Sequence, residues 1–288
     1  MTLAVTPRKA GLPWIPIAWF GMLLIGCYAP VLGRLVRQWN NDPDMGHGFF
    51  VPIIAGFIVW QRREELLALK PHPNPWGLLV VVAGALQLML GALGAELFTS
   101  RVSFVISLIG VVWLLGGDLM LKKLAFPLFL LFFMIPIPAI IYSRITFPLQ
   151  ISASQLADHA LTLLAIPVFR EGNILDLPNQ RLSVVEACSG IRSLLSLTFL
   201  SLVYGYFFER KTWVRVLLFF STIPIAIIAN GSRVTITGIM TQIKPELAEG
   251  FFHEAQGWVI FMVALAFLIL FHQVLTRSLN FMESRRTR

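Results

Sequence analysis

Charged residues are scarce in this chain of 288 residues. They make up 13% of it, against about 25% in soluble domains, while 57% is hydrophobic and the mean hydropathy is +0.76. This composition excludes an ordinary soluble domain and is typical of an integral membrane protein. Cysteine is also rare, and two residues of it provide no disulfide framework.

Several familiar motifs are missing as well. The sequence has no metal-ligand cluster, no phosphate-binding Walker loop and no dinucleotide fingerprint, so we expect neither a metal nor a cofactor. The net charge of +8 does not indicate a nucleic-acid partner. The basic residues stand in short clusters between apolar runs, which is the pattern of membrane topology.

Eight apolar runs predict membrane-spanning helices, because a backbone in lipid must satisfy its own hydrogen bonds. The approximate spans are 13–31, 49–60, 76–94, 102–116, 124–141, 191–207, 214–230 and 257–275, followed by a tail at 276–288. The predicted fold class is therefore all-α: a polytopic integral membrane protein forming a single domain over residues 1–288.

The distribution of charge predicts the orientation. With the N-terminus inside, the inner segments hold 14 basic and 5 acidic residues, and the outer segments hold 9 basic and 10 acidic ones. Because Lys and Arg are enriched on the cytoplasmic side, both termini are expected to be cytoplasmic. The long outer segment 142–190 contains an amphipathic stretch from Leu149 to Leu164, predicted to lie along the outer membrane surface. Turns and a short strand at 181–185 are expected after it.

Cys188 is the candidate nucleophile. It stands where a polar turn meets an apolar run, in Glu186-Ala187-Cys188-Ser189-Gly190-Ile191-Arg192. The positive end of a helix dipole and the charge of Arg192 both favour the thiolate. The alternative is a small buried thiol. Cys27, inside the first apolar run, has no charged neighbour and is expected to be a packing residue.

Arg233 and His253 are the other two candidate catalytic residues. Arg233 follows Asn230-Gly231-Ser232 at the outer end of the seventh span, where a permanent charge is expensive unless it faces protein or water. It can stabilise a thiolate or an oxyanion, and Asn230 can orient it. The alternatives are an Arg that reaches to the membrane surface and an Asn that caps the helix.

His253, just before the eighth span, can exchange a proton near neutral pH. The alternative for it is a polar residue beside an aromatic belt. His47, before the second span, is a weaker competitor on the same side. A thiol, a guanidinium and an imidazole are thus predicted to reach one membrane boundary from three helices, which is the set of groups that activates a cysteine nucleophile.

Three blocks together resemble the exosortase/archaeosortase family. They are Glu186 to Arg192, Asn230-Gly231-Ser232-Arg233-Val234 and His253-Glu254-Ala255-Gln256-Gly257-Trp258, and His47-Gly48 is similar to an early block of the family. The block order and the eight-span layout also agree. The chain resembles the short form, which has no fused C-terminal soluble domain.

The resemblance implies a cysteine transpeptidase of the bacterial inner membrane with its active site facing the periplasm. Its partners would be secreted proteins whose C-terminal tail carries a short motif, commonly Pro-Glu-Pro, then a membrane helix and a basic end. Cys188 would form an acyl-thioester, with Arg233 and His253 supplying charge stabilisation and proton transfer and Glu186 as a possible support. An acceptor of unknown identity would then take the acyl group toward the cell surface or matrix.

Three other functions remain open at this point. An intramembrane cysteine protease would use water as the acceptor. A transporter or polysaccharide-export subunit would line a path with Arg233 and His253, although transporter sites usually lie at the membrane midplane. In a membrane scaffold without catalytic activity, Cys188 would be a packing residue.

Overall fold

The computed structural model describes residues 14–184, 190–243 and 250–286, and helices dominate them. The α-helices in these ranges are α1 (Trp14–Asn41), α2 (Phe50–Gln61), α3 (Arg63–Ala68), α4 (Trp76–Leu93), α5 (Leu97–Leu130), α6 (Ala139–Leu163), α7 (Gly190–Phe208), α8 (Thr212–Ile243) and α9 (Gly250–Arg286). Two 3₁₀ helices occupy Pro43–Phe49 and Leu131–Met134. Three strands, β1 (Phe169–Glu171), β2 (Ile174–Asp176) and β3 (Arg181–Ser183), lie between α6 and α7 in sequence.

The chain falls into two compact units, Met1–Pro138 and Ala139–Arg288. Among the described residues, five helices are long and apolar enough to cross a membrane. They are Trp14–Asn41, Trp76–Leu93, Leu97–Met134, Thr212–Ile243 and Ala255–Arg285. A polytopic membrane protein is therefore confirmed, while the count of eight spans, the orientation and the single domain stay predictions.

In the first unit, α4 and the first part of α5 form a tightly packed antiparallel pair. A Cβ at Gly77 would lie 2.2 Å from the backbone nitrogen of Leu114, and one at Gly84 would lie 2.2 Å from the Ser107 hydroxyl oxygen. Small residues thus let the two backbones approach closely, as is common between membrane helices. The Tyr28 hydroxyl on α1 lies 2.8 Å from the same Ser107 oxygen and ties α1 to this pair.

Gly117 divides α5 into two helical segments. Its φ of 76° lies in the left-handed region, and a Cβ there would lie 1.9 Å from the carbonyl oxygen of His72, so only glycine fits. Beyond it, Lys123 pairs with Glu65, and the carbonyl oxygen of Met134 accepts a hydrogen bond of 2.9 Å from the Trp39 indole. The two segments correspond to the fourth and fifth predicted spans.

The fifth predicted span, 124–141, is wrong at its C-terminal end. The helix gives way to the 3₁₀ turn Leu131–Met134, and α6 starts separately at Ala139. Pro136 and Pro138 account for the break, because proline lacks a backbone N–H and disfavours helical dihedrals in the residue before it.

In the second unit, the predicted amphipathic stretch 149–164 forms most of α6. Its buried residues, Thr146, Ala153, Ser154, Ala157 and Leu161, recur at helical spacing along one face. That face packs on a three-stranded antiparallel sheet of order β1-β2-β3 and on α8. The expected strand at 181–185 is present as β3, but the sheet as a whole departs from the all-α prediction. The location of α6 along the membrane surface stays a prediction.

Cys27 is exposed, so the expectation that it packs in the interior is wrong. The buried face of α1 begins only at Tyr28 and continues through Val31, Leu35 and Trp39. The described residues of α1 before Tyr28 include no buried side chain, and large apolar ones such as Ile15 and Ile25 are exposed. In a membrane protein such a surface faces lipid.

Candidate active site

Three helices of the second unit, α7, α8 and α9, pack around a common core of Leu197, Val214, Leu218, Ala264 and Leu268. The short turn at 209–211 makes α7 and α8 antiparallel. At the end of the assembly where this turn lies, Oε2 of Glu209 is 3.0 Å from Nε2 of His272 on α9. At the other end, the start of α7 and the start of α9 lie beside Arg233 of α8. The helices α7 and α9 are therefore parallel to each other.

A small, narrow cleft opens at this second end, with room for about one water molecule. All three helices line it. The lining residues are Ser193 and Leu197 from α7, Ala226, Ala229, Asn230 and Arg233 from α8, and Gly257, Ile260, Phe261 and Ala264 from α9. Most of this lining is apolar, so the polar atoms of Ser193, Asn230 and Arg233 determine its chemistry.

The guanidinium of Arg233 lies against Gly257. A Cβ at that glycine would lie 3.1 Å from Nη2 and 3.2 Å from Cζ of Arg233, which is tighter than an ordinary contact. The absence of a side chain at Gly257 therefore makes room for the guanidinium at the cleft. A half-buried, permanently charged group in apolar surroundings exerts a stronger field than it would in water.

Gln256 fixes the relative position of α8 and α9 beside this contact. Its Nε2 donates a hydrogen bond of 2.9 Å to the carbonyl oxygen of Arg233, and its Oε1 accepts one of 3.2 Å from the Thr237 hydroxyl. Gln256 and Thr237 are both buried. Because these two hydrogen bonds join α9 to α8 at buried positions, they fix the register between the two helices.

Asn230 precedes Arg233 by one turn of α8 and also lines the cleft. Its side chain is buried, with 7% of the residue exposed. Residues three apart on a helix share a face, so Asn230 and Arg233 present an amide and a guanidinium to the same space. Both residues line the cleft, and the role of Asn230 in orienting Arg233 stays a prediction.

The backbone of His253 lies in α9, four residues before Gly257. Positions four apart lie one above the other on a helix, so position 253 continues the stripe 257, 260, 261 and 264 that lines the cleft. The backbone of Arg192 lies in α7, immediately before Ser193. Cys188 and Glu186 lie outside the described residues.

The segment that leads to Cys188 is anchored at its last described residue. Val184 is fully buried, and its N–H donates a hydrogen bond of 3.0 Å to the carbonyl oxygen of Asn173. It belongs to the same hydrophobic cluster as Val234, the residue after Arg233. Two peptide bonds separate Cys188 from Gly190, where α7 begins. Val184 and Ser193, which flank the segment that contains the cysteine, thus both lie near the Arg233 end of α8.

His47 belongs to the first unit and is not among the residues that line the cleft. Its Nε2 lies 3.2 Å from the carbonyl oxygen of Phe133. Burial lowers the pKa of His47, although the hydrogen bond to Phe133 opposes this shift. These contacts give His47 a place in the packing of the first unit.

Sequence reasoning missed Gly257, Gln256 and Ser193 as parts of the site. A signal was present for the glycine, because a glycine one turn after a candidate histidine in a helix indicates close approach of another group. No group of three His, Cys, Asp or Glu residues suited to a metal occurs in the described part of the chain.

Most of this chain matches a known protein family. The family described as transmembrane exosortase matches residues 39–270, which include all three sequence blocks and the whole cleft. Curated proteins and solved structures yield no significant match. Since the match covers most of the sequence, this chain belongs to the transmembrane exosortase family.

Proposed function

We propose that this chain is a membrane-embedded cysteine transpeptidase that cleaves C-terminal sorting tails from secreted proteins and transfers those proteins to an acceptor. Cys188 is the nucleophile, Arg233 stabilises negative charge and His253 transfers the proton. The observation that carries this proposal is the cleft in which α7, α8 and α9 meet, because α8 and α9 bear the Arg233 and His253 blocks and the Cys188 block ends within the first turn of α7.

The arrangement supports nucleophilic catalysis. Cys188 precedes the start of α7 by two residues, and Ser193 of that helix lines the cleft beside Arg233. A guanidinium near a thiol favours the thiolate, which is the reactive form. The same positive charge favours the oxyanion that forms when the thiolate adds to a carbonyl carbon.

The chemistry proceeds in two steps. The sulfur of Cys188 bonds to the carbonyl carbon of the scissile peptide, and the C–N bond breaks to leave an acyl-thioester. His253 delivers the proton that the departing amine of the tail requires. An incoming nucleophile then loses a proton to His253 and attacks the thioester, and the sulfur leaves, which restores the Cys188 thiolate and the His253 imidazolium with which the cycle began.

A membrane anchor on the substrate suits such a site. The substrates of this proposal carry a short motif, a membrane helix and a basic cytoplasmic end. Because the helix keeps the motif at a fixed depth in the bilayer, binding becomes effectively intramolecular and even a shallow cleft is occupied often. The proposal places the enzyme in the bacterial inner membrane with the cleft toward the periplasm.

Replacing the nucleophile tests the proposal. We expect Cys188→Ala to abolish tail removal from a co-expressed substrate, measured as the shift from precursor to mature protein. Cys27→Ser is the matched control, since Cys27 is exposed on α1 outside the cleft, and it should process at the rate of the unaltered protein. Unchanged processing by Cys188→Ala would end the assignment.

The mass of the product distinguishes transfer from hydrolysis. A mature protein heavier than the cleaved chain identifies an acceptor, and the added mass identifies its class. A free carboxylate at the new C-terminus would mean that water is the acceptor and that the enzyme is an intramembrane cysteine protease.

A further inference from the structure

Arg101 is a buried cation in the first unit. It is the fifth residue of α5, and only 4% of it is exposed. Within the described part of the chain its Nε has no hydrogen-bond partner, and no ion pair to its guanidinium is found there. A buried charge with little compensation is strongly unfavourable, so the position indicates that a group outside the described residues completes it.

The charged neighbours of Arg101 increase this need. Helix α1 packs on α5, where the Tyr28 hydroxyl lies 2.8 Å from Ser107, and the exposed Arg34 of α1 and Glu96 both contribute to the electrostatics of Arg101. The two oxygens of Glu96 already accept hydrogen bonds from the backbone N–H groups of Phe98 and Thr99 at the start of α5. Two guanidinium groups therefore share a region in which the nearest carboxylate is already engaged.

We propose that Arg101 and Arg34 together bind a phosphate group, and that the headgroup of an anionic phospholipid supplies it. A guanidinium is permanently charged and its fork of N–H donors matches the geometry of a phosphate. An anion at this point neutralises the repulsion between the two cations and supplies an acceptor for the buried Nε–H of Arg101.

The position along the helix favours a lipid as the source. Arg101 lies about 6 Å along the axis from the start of α5, a helix that belongs to a candidate membrane span. Its phosphate would therefore sit near the boundary between headgroups and acyl chains. Leu93 and Leu97, at the same end of the α4–α5 pair, are exposed and offer an apolar surface to the acyl chains.

Titration of the purified full-length protein in detergent tests this site. Phosphatidylglycerol is the probe, and the number of retained lipids is counted by native mass spectrometry while the melting temperature is followed. Arg101→Gln should weaken phosphatidylglycerol binding by about tenfold or more, since it removes a charge-assisted hydrogen-bonding group. Arg144→Gln, which alters an exposed arginine on α6, is the matched control and should bind as the unaltered protein does.

Arg34→Gln covers the case in which Arg101→Gln fails to fold. Because Arg34 is exposed, its replacement should leave folding intact and weaken binding by about two- to fivefold. Equal affinity of the unaltered protein, Arg34→Gln and Arg144→Gln for the lipid would overturn the proposal.

Two further probes identify the source of the phosphate. Diacylglycerol with the same acyl chains should not bind at this site, because it lacks the phosphate. Inorganic phosphate should bind much more weakly than phosphatidylglycerol. If inorganic phosphate binds equally well, the site belongs to a free anion and the lipid assignment is wrong; if diacylglycerol binds equally well, no phosphate site exists.

Discussion

The two ends of the α7–α8–α9 assembly differ in how their polar groups are used. At the far end, His272 lies between the Tyr204 hydroxyl, 2.9 Å from its Nδ1, and the Glu209 carboxylate, 3.0 Å from its Nε2. The backbone N–H of Lys211 donates to the same carboxylate at 2.7 Å. At the near end, Arg233 and Asn230 face a cleft. Polar groups that bond to one another hold helices together, whereas polar groups that line a cleft are positioned to contact a substrate.

The comparison separates residues that the sequence presents as equals. Two histidines lie on α9, at positions 253 and 272, about 28 Å apart along the helix axis. Two arginines lie on α8, and Arg215 donates to the Glu209 carbonyl oxygen at 2.8 and 2.5 Å while Arg233 lies at the cleft. Chemical type alone therefore does not identify the functional member of either pair.

The largest expected effect distinguishes the two arginines. Arg233→Gln should slow tail processing by about 100- to 1,000-fold, the usual cost of losing a group that stabilises an oxyanion. Arg215→Gln should leave processing per folded molecule unchanged and lower the melting temperature, because it removes hydrogen bonds to the carbonyl oxygen of the buried Glu209. Both are measured by a processing assay and by thermal unfolding in detergent. Equal loss of processing in the two variants, with stability unchanged, would contradict the distinction.

Displacing the Arg233 guanidinium without removing it should give the next largest effect. Gly257→Val places side-chain atoms where the guanidinium now lies, and a displacement of about 1 Å at a catalytic group lowers a rate by about 10- to 100-fold. The control is Gly56→Val on α2, where a Cβ meets nothing within 4 Å. If the two glycine variants process equally well, the contact at Gly257 has no functional role.

The far end should respond in stability rather than in activity. His272→Phe removes the imidazole between Tyr204 and Glu209 and leaves a buried carboxylate with one fewer donor, which costs about 1–3 kcal/mol. The free energy of unfolding should fall by this amount, while the rate per folded molecule stays within about twofold. A rate that falls as far as that of Arg233→Gln would assign His272 to catalysis instead.

Acid should weaken the far end through Glu209. Burial raises the pKa of this carboxyl, but hydrogen bonds from the Lys211 N–H, His272 and the Arg210 N–H outweigh burial, so its pKa lies below the ordinary value of 4.5. A carboxyl with a lowered pKa stabilises the fold above its unfolded pKa, and this contribution is lost as the pH falls through the folded value. Glu209→Gln should therefore flatten the acid limb of a plot of stability against pH. An acid limb identical to that of the unaltered protein would contradict this.

The sequence predicted helices well where apolar runs are bounded by polar residues. The predicted span 76–94 is matched by α4 (Trp76–Leu93), and 191–207 by α7 (Gly190–Phe208). Helix ends beyond the predicted spans 214–230 and 257–275 were missed, since α8 continues to Ile243 and α9 starts at Gly250. Hydropathy marks only the part of a helix that lies in lipid, whereas buried polar pairs such as Thr237 with Gln256 stabilise the rest.

The site was predictable in its residues and not in its contacts. Arg233 and Asn230 were identified as candidates because a charged and an amide side chain at the end of an apolar helix are unfavourable unless they face protein or water. The packing of the guanidinium on Gly257 depends on the register between α8 and α9, which no local pattern encodes. The roles of Cys188, Arg233 and His253 stay predictions.

The central claim is that Cys188 forms an acyl-thioester with the protein that it processes. The most direct measurement is the mass of the peptide that contains Cys188, from enzyme purified after reaction with a tailed substrate and denatured in acid. The account predicts an adduct of the cleaved substrate on the sulfur of Cys188, lost on treatment with hydroxylamine and absent from Cys188→Ala. Continued tail processing by Cys188→Ala, with no adduct on the unaltered enzyme, would contradict it.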